Sequence, residues 1–217
     1  PYKSTAFQFL KNDEIDLIQQ NCLTVHFKKR ENICKQNLNV THALYLSKGM
    51  VKVFIEGEKK NSIIDIVTEG QYIGLQSSFN DSKYNFSVTA LEESRICMVD
   101  LNVLNKLCSY NPTFLMEITK IISNCTNKVF KRIAFCNKKS VRAKLAHTIL
   151  WLAETIYKSN DFKLNLSRQE LANYIGISRE NTVRTITEFR KEGLISTNGK
   201  NVQIIQKDIL NAMANID

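Results

Sequence analysis

The sequence predicts an α+β fold in three parts: an antiparallel roll of short strands, one long helix, and a helical end framed by a β-hairpin. Three observations carry this reading. Apolar and polar residues alternate over much of 22–100, with Gly57, Gly70 and Gly74 as punctuation. After Asn111-Pro112 the apolar residues recur instead at three- and four-residue steps. Near the end, two capped helical segments meet at a glycine and are followed by an Asn-Gly turn. The expected parts are residues 1–110, 111–136 and 137–217.

The elements follow in order. "FLKNDEIDLIQQN" reads as a helix. "VTHALYLSKGMVKVFIEG" places Leu44 and Leu46, then Val51, Val53 and Ile55, on alternate positions across a turn at Ser47-Lys48-Gly49. "NSIIDIVTEG" and "SRICMVDL" add short strands, which together suit a small antiparallel barrel or jelly-roll. Pro112 fits the first turn of a helix. Beyond it Leu115, Ile118, Ile122, Cys125 and Val129 form an a/d seam of the kind that packs on a partner helix. Packing of that helix on its own domain is the alternative use. "VRAKLAHTILWLAETIY" is an apolar helix, and the loop "KSNDFK" leads to "LNLSRQELANYIGI", where Ser167 and Glu170 have capping-box spacing. "LISTNGKNVQII" is a hairpin around Asn198-Gly199, and Asp208 is placed to cap a last helix. A helix-turn-helix followed by such a hairpin is a winged helix.

With 30 Lys and Arg against 21 Asp and Glu, the net charge of +9 favours a polyanionic partner. Lys128 to Lys144 contains no acidic residue, a basic stretch that a solvated helix end would also explain. No apolar run is long enough to cross a bilayer and no segment resembles a signal peptide, so a soluble, cytoplasmic protein is expected. The six cysteines (Cys22, Cys34, Cys97, Cys108, Cys125, Cys136) form no CxxC pair and are expected as reduced, mostly buried thiols. His26, His42 and His147 stand alone and read as structural residues.

The richest stretch is "NYIGISRENTVRTITEFRKEG". At about 100° per residue, Arg179, Glu180, Val183, Arg184 and Thr187 share one arc, while Thr182, Thr185, Ile186 and Phe189 share the opposite one. The second set, with Leu171 and Ile175, can form a core. The first set can face a DNA major groove. An arginine fork matches guanine O6 and N7, and a carboxylate accepts from the cytosine amino group. A carboxylate would repel a phosphate backbone, so Glu180 favours base reading over general adhesion. A surface Glu180–Arg184 ion pair is the structural alternative.

"LSRQELANYIGISRENTVRTITEFRKEGLISTNGK" resembles the winged helix of the Crp/Fnr family of bacterial transcription regulators, and the order of roll, long helix and winged helix is similar throughout. The resemblance implies an eight-stranded, cyclic-nucleotide-binding-like roll, a homodimer through the long helix, two palindromic DNA half-sites, RNA polymerase as a further partner, and no enzymatic activity. It implies base contacts by Arg179, Glu180 and Arg184, with Val183 against a thymine methyl. It implies phosphate contacts by Ser167, Arg168, Gln169 and Ser178, to which Lys200 in the hairpin turn adds. Thr182 departs from the family's usual valine.

In cyclic-nucleotide-binding members a glycine precedes a glutamate, and an Arg-Ser pair follows. Here Gly74 is kept, Leu75 replaces the glutamate, and Tyr84-Asn85 replace the Arg-Ser pair, with Lys83 nearby. Phe130 joins these as a pocket candidate. Cyclic AMP is therefore not the expected effector, since a buried phosphate needs its charge partner. The tight amino-terminal cysteine group of the oxygen-sensing branch is absent. Haem is the alternative cofactor, with His42, Cys97 or the terminal Pro1 as ligands, and Cys125 is a candidate redox switch across the dimer. A nonspecific DNA binder and a cupin-type metalloenzyme are the readings from other classes. The cupin needs converging His and Glu ligands, and only His26 and His42 precede residue 100.

Overall fold

The computed structural model describes residues 5–215 apart from 59 and 80–82, without the side chains of Thr5 and 136–138. Pro1, expected as a haem-ligand candidate, lies outside the described residues, as does the side chain of Cys136. The chain divides into two compact units, Pro1–Val129 and Phe130–Asp217.

In the first unit a 3-10 turn at Thr5–Phe9 precedes α1 (Asn12–Gln20). The strands are β1 (Cys22–Phe27), β2 (Asn32–Cys34), β3 (His42–Lys48), β4 (Met50–Ile55), β5 (Ser62–Thr68), β6 (Gln71–Ile73), β7 (Ser87–Ala90) and β8 (Ser94–Asp100). Then come α2 (Leu101–Tyr110) and α3 (Pro112–Lys138), whose earlier part belongs to this unit. The eight strands form two antiparallel sheets, ordered β1-β8-β3-β6 and β2-β7-β4-β5.

Two apolar layers result. Leu44, Leu46, Val51, Val53, Val88 and Ile96 fill the space inside the roll. The other face of β3 is not polar as a simple alternation suggests: Ala43 and Tyr45 are buried with Phe7, Leu104, Phe114 and Ile118. Helices lie over that face, so both sides of the strand leave water. Phe7 sits among three aromatic rings, with centroids 6.4 Å from Tyr45 and 6.3 Å from Tyr72 and Phe114. Phe114 has no exposed surface, and burying a side chain of that kind contributes about 1.5–3 kcal/mol. Ile55, expected on the inward set, is 42% exposed; the register of β4 shifts between Val53 and Phe54, which turns it outward.

The a/d seam on α3 is partly spent at home. Ile118 is 1% exposed in the layer outside the roll, and Ile122 packs against the same layer. Leu115 and Met116 are exposed, while Cys125 and Val129 are half-buried.

One expectation about the cysteines is overturned. The β1–β8 register sets Cys22 opposite Val99 and Thr24 opposite Cys97. Cys22 and Cys97 thus share a face, with Cα atoms 6.3 Å apart, and are joined in a disulfide across 75 residues. Strand pairing, invisible in sequence spacing, brings them together, and Cys97 is occupied by this bond. Cys34, Cys108 and Cys125 are free thiols; burial pushes Cys34 up to about 12.

The expected effector residues of the first unit have different surroundings. Gly74 holds a left-handed backbone, φ 58°, and a Cβ there would collide with the ring of Phe86. Tyr84 meets Phe86 edge-on at 5.7 Å and donates its hydroxyl to the His42 carbonyl at 3.3 Å. Aromatic rings therefore fill the roll interior beside Gly74. Leu75 is buried in the other layer, against Tyr45 and Tyr72, and Lys83 and Asn85 are exposed. Phe130 belongs to the second unit and is 64% exposed.

The second unit continues with the end of α3, α4 (Val141–Trp151), a π-helical turn (Leu152–Tyr157), β9 (Asp161–Lys163), α5 (Arg168–Ile175), α6 (Arg179–Lys191), β10 (Ile195–Asn198), β11 (Asn201–Ile204) and α7 (Lys207–Asn215). The expected loop "KSNDFK" contains a strand: β9 completes a sheet ordered β10-β11-β9, with Phe162 opposite Val202 and only 6% exposed. Asp208 lies within the first turn of α7 and not at its cap.

Because Gly74 faces Phe86 in a left-handed conformation, Gly74→Ala is expected to cost about 1–3 kcal/mol in urea unfolding. Phe86→Leu in the same chain should recover part of the loss. An unchanged midpoint for Gly74→Ala would show that the ring does not fill this space.

Candidate nucleic-acid interface

The helix-turn-helix is built from its caps. Ser167 Oγ accepts the Glu170 N–H at 3.1 Å, and the Ser167 N–H donates to Glu170 Oε2 at 2.7 Å, closing the capping box. Gly176 ends α5 at φ 78°, a conformation glycine adopts without a Cβ penalty. Ser178 then caps α6, its Oγ accepting the Asn181 N–H at 3.1 Å. Two helices thus begin with satisfied backbone donors on either side of a short turn.

The faces of α6 separate as the helical period requires. Thr182, Thr185, Ile186 and Phe189 are buried, together with Leu171 and Ile175 of α5. Arg179, Glu180, Val183, Arg184 and Thr187 are exposed. Thr182 is a polar residue with no exposed surface, and its hydroxyl donates to the Ser178 carbonyl at 3.0 Å. A threonine therefore fits where its shape-mate valine would, because one turn of helix supplies the acceptor.

The charged side chains are arranged differently from an i, i+4 Glu180–Arg184 pair. Arg184 Nη2 donates to Asn181 Oδ1 at 3.0 Å, and its Nε lies 3.8 Å from Glu188. Glu180 is held below the usual carboxylate range, first by a bond to its own backbone N–H, then by the Ser178 hydroxyl, then by the Arg179 charge. A helix N-terminus favours that anion. Arg142, at the start of α4, grips the other end of α6: it bonds Glu192 at 2.9 and 2.6 Å and Glu188 at 3.0 Å, and lies over the Phe189 ring at 5.1 Å. Asn181, Glu188 and Arg142 were missed in the sequence. The only signal was spacing for Glu188, four residues beyond Arg184; nothing local pointed to Arg142.

Of the expected phosphate contacts, Ser167, Gln169, Ser178 and Lys200 are exposed. Gln169 donates to Asn173 at 2.9 Å along α5. Lys200 sits in the two-residue turn between β10 and β11, whose strands close at Asn198 opposite Asn201. Arg168 is half-buried at the rim of a small apolar cavity, about 10 Å³, lined by residues including Leu171, Ile186 and Thr197. Burial lowers its pKa, and the nearby Arg190 cation lowers it further. Among the described residues no group of three or more His, Cys, Asp or Glu side chains gathers where it could hold a metal ion, and no helix is long and apolar enough to cross a membrane.

Residues 143–213 match the Crp-like helix-turn-helix domain, and residues 24–111 match the cyclic nucleotide-binding domain. The chain belongs to the Crp/Fnr family. As a Crp/Fnr-type DNA-binding transcription regulator it resembles Electron transport regulator A of Shewanella oneidensis, 27% identical over 192 residues, 86% of this chain and 76% of the relative. Transcriptional activator protein anr of Pseudomonas aeruginosa is 26% identical over 192 residues, 86% of this chain and 78% of the relative. A solved crp/fnr family transcriptional regulator from Eubacterium rectale has the same fold: TM-score 0.84, 17% identity, 100% of both chains covered.

The Ser178 carbonyl keeps its bond from the Thr182 N–H at 3.1 Å whether or not the hydroxyl is present. Thr182→Val is therefore expected to change the unfolding free energy by less than about 1 kcal/mol. A loss above about 2 kcal/mol in thermal or urea unfolding would mean that the hydroxyl has a task the backbone does not cover.

Proposed function

We propose that this Crp/Fnr regulator binds double-stranded DNA as a cytoplasmic homodimer, with α6 of each protomer in a major groove of a palindromic operator. The observation that carries the reading is the division of α6: four buried residues on one face, and Arg179, Glu180, Val183 and Arg184 exposed on the other. The arginines read guanines, Glu180 accepts from a cytosine amino group, and Val183, 44% exposed, suits a thymine methyl. Half-sites about 34 Å apart would match one helical turn.

Ser167, Arg168, Gln169, Ser178 and Lys200 supply the phosphate contacts. A phosphate at Arg168 would also relieve the repulsion from the neighbouring Arg190 cation. Exposed Leu115, Met116, Phe130 and Ile133 give α3 apolar surface for a partner helix, and contact with RNA polymerase accompanies promoter binding. The roll acts without cyclic AMP. Phe86 and Tyr84 occupy the interior beside Gly74, and Tyr84-Asn85 stand where the resemblance implies an Arg-Ser pair for a cyclic phosphate. Millimolar cyclic AMP should leave the unfolding midpoint unshifted; a clear rise would overturn this part of the reading.

Arg184→Ala should cost about 1–3 kcal/mol of operator binding and relax one base position. Arg168→Ala should weaken all sequences alike and reduce the slope of log K against log salt by about 1. Equal loss on operator and scrambled DNA for Arg184→Ala would contradict base reading. Glu180 loses its charge only below the ordinary carboxylate pKa. Discrimination at its base position should accordingly persist from about pH 8 to pH 5. Competition binding that showed this preference fading by pH 5 would remove Glu180 from the reading set.

A further inference from the structure

Arg184 lies on the exposed face of α6, with 69% of its side chain accessible. A free arginine of this kind samples many rotamers, and ordering it on DNA costs conformational entropy. Here its guanidinium is met from both sides along the helix. Asn181, one turn before, accepts from Nη2 at 3.0 Å; Glu188, one turn after, lies 3.8 Å from Nε. Neither contact uses Nη1. Of the five N–H donors, at most two are engaged and three remain for a base, enough for a fork on guanine.

Glu188 is itself held. Its Oε1 faces Arg184, and its Oε2 accepts from Arg142 Nη1 at 3.0 Å. Arg142 cannot swing away easily, because Glu192 takes both its Nη1 and Nη2 and the Phe189 ring, with no exposed surface, lies beneath it. Glu188 on α6 and Glu192, which caps its end, are four residues apart, so one guanidinium from α4 spans both. Each of these pairs is exposed enough to add little to stability. Their geometric effect is larger: they fix the position of the carboxylate on which Arg184 leans.

We propose that Arg142 and Asn181 are positioning residues for base recognition, acting through a chain Arg142–Glu188–Arg184–Asn181 that sets the plane of the Arg184 guanidinium before DNA arrives. The inference rests on the reading of Arg184 as a base contact. Arg142 touches no base in this scheme; its part is to keep Glu188 from wrapping fully around Arg184 and drawing it off the groove. Asn181 supplies the opposing restraint. The chain also assigns specificity to a residue of α4, distant in sequence from α6.

The test uses the full-length protein and a randomised double-stranded DNA library. Selection with wild type and with Arg184→Ala identifies the base position that Arg184 reads. Competition binding then measures discrimination at that position and at the positions that remain selective in Arg184→Ala. Arg142→Ala and Asn181→Ala are expected to lower discrimination at the Arg184 position by about 3–10-fold while leaving the other positions within about twofold. Arg142→Lys, which keeps the charge and loses the planar fork, should restore only part of it. Arg142→Ala combined with Glu188→Ala should lose no more than Glu188→Ala alone. A uniform drop at every position would identify Arg142 as a stabiliser of helix packing only, and unchanged discrimination would remove it from recognition; either result overturns the proposal. If Arg184→Ala itself leaves every position intact, the base-reading assignment fails and the chain fails with it. A preserved Arg184 effect with no Arg142 or Asn181 effect sinks the chain alone.

Discussion

Phe189 has no contact with solvent, and the DNA-binding unit is arranged around that fact. A helix of thirteen residues that anchors one face in a core has only the opposite arc left for chemistry, and its 3.6-residue period decides which side chains those are. Burial of Thr182, Thr185, Ile186 and Phe189 thus determines that Arg179, Glu180, Val183 and Arg184 stand together. The caps at Ser167 and Ser178 set where the two helices start, and Gly176 lets the chain turn between them. Without the buried face the exposed charges would have no common direction.

This dependence explains why α6 was so legible. Its period, caps and hairpin signal all reside in local sequence, and every residue assigned to its core is buried. What was missed depends on contacts between distant segments. Three residues were too few for β9 to show a strand pattern, and only pairing with β11 defines it. The outer burial of Tyr45 follows from helices lying over a strand that looks one-sided. The Cys22–Cys97 bond follows from register across 75 residues. Arg142 reaches α6 from another helix, so no window on "SRENTVR" contains it. On α3 the a/d pattern names no partner by itself: Ile118 shows that such a stripe can serve the protein's own core.

The roll shows the same logic in the opposite sense. Its fold carries the family's architecture, while its interior is closed by side chains of its own: Phe86 against Gly74, with Tyr84 beside it. An aromatic ring in such a place contributes burial, where a charge would need desolvation. The roll is accordingly well packed beside Gly74.

The π-helical turn at Leu152–Tyr157 has a consequence of phase. Trp151 stacks on Tyr174 of α5 at 5.3 Å, and Tyr157 stacks on Phe162 of β9 at 4.6 Å. In an unbroken α-helix, six residues would leave these two rings roughly 240° apart around the axis. The wider turn changes that rotation, so one continuous stretch of chain can address the helix-turn-helix with its beginning and the wing with its end. It works as a gear between two neighbours, setting their aromatic contacts on a common spindle without a loop.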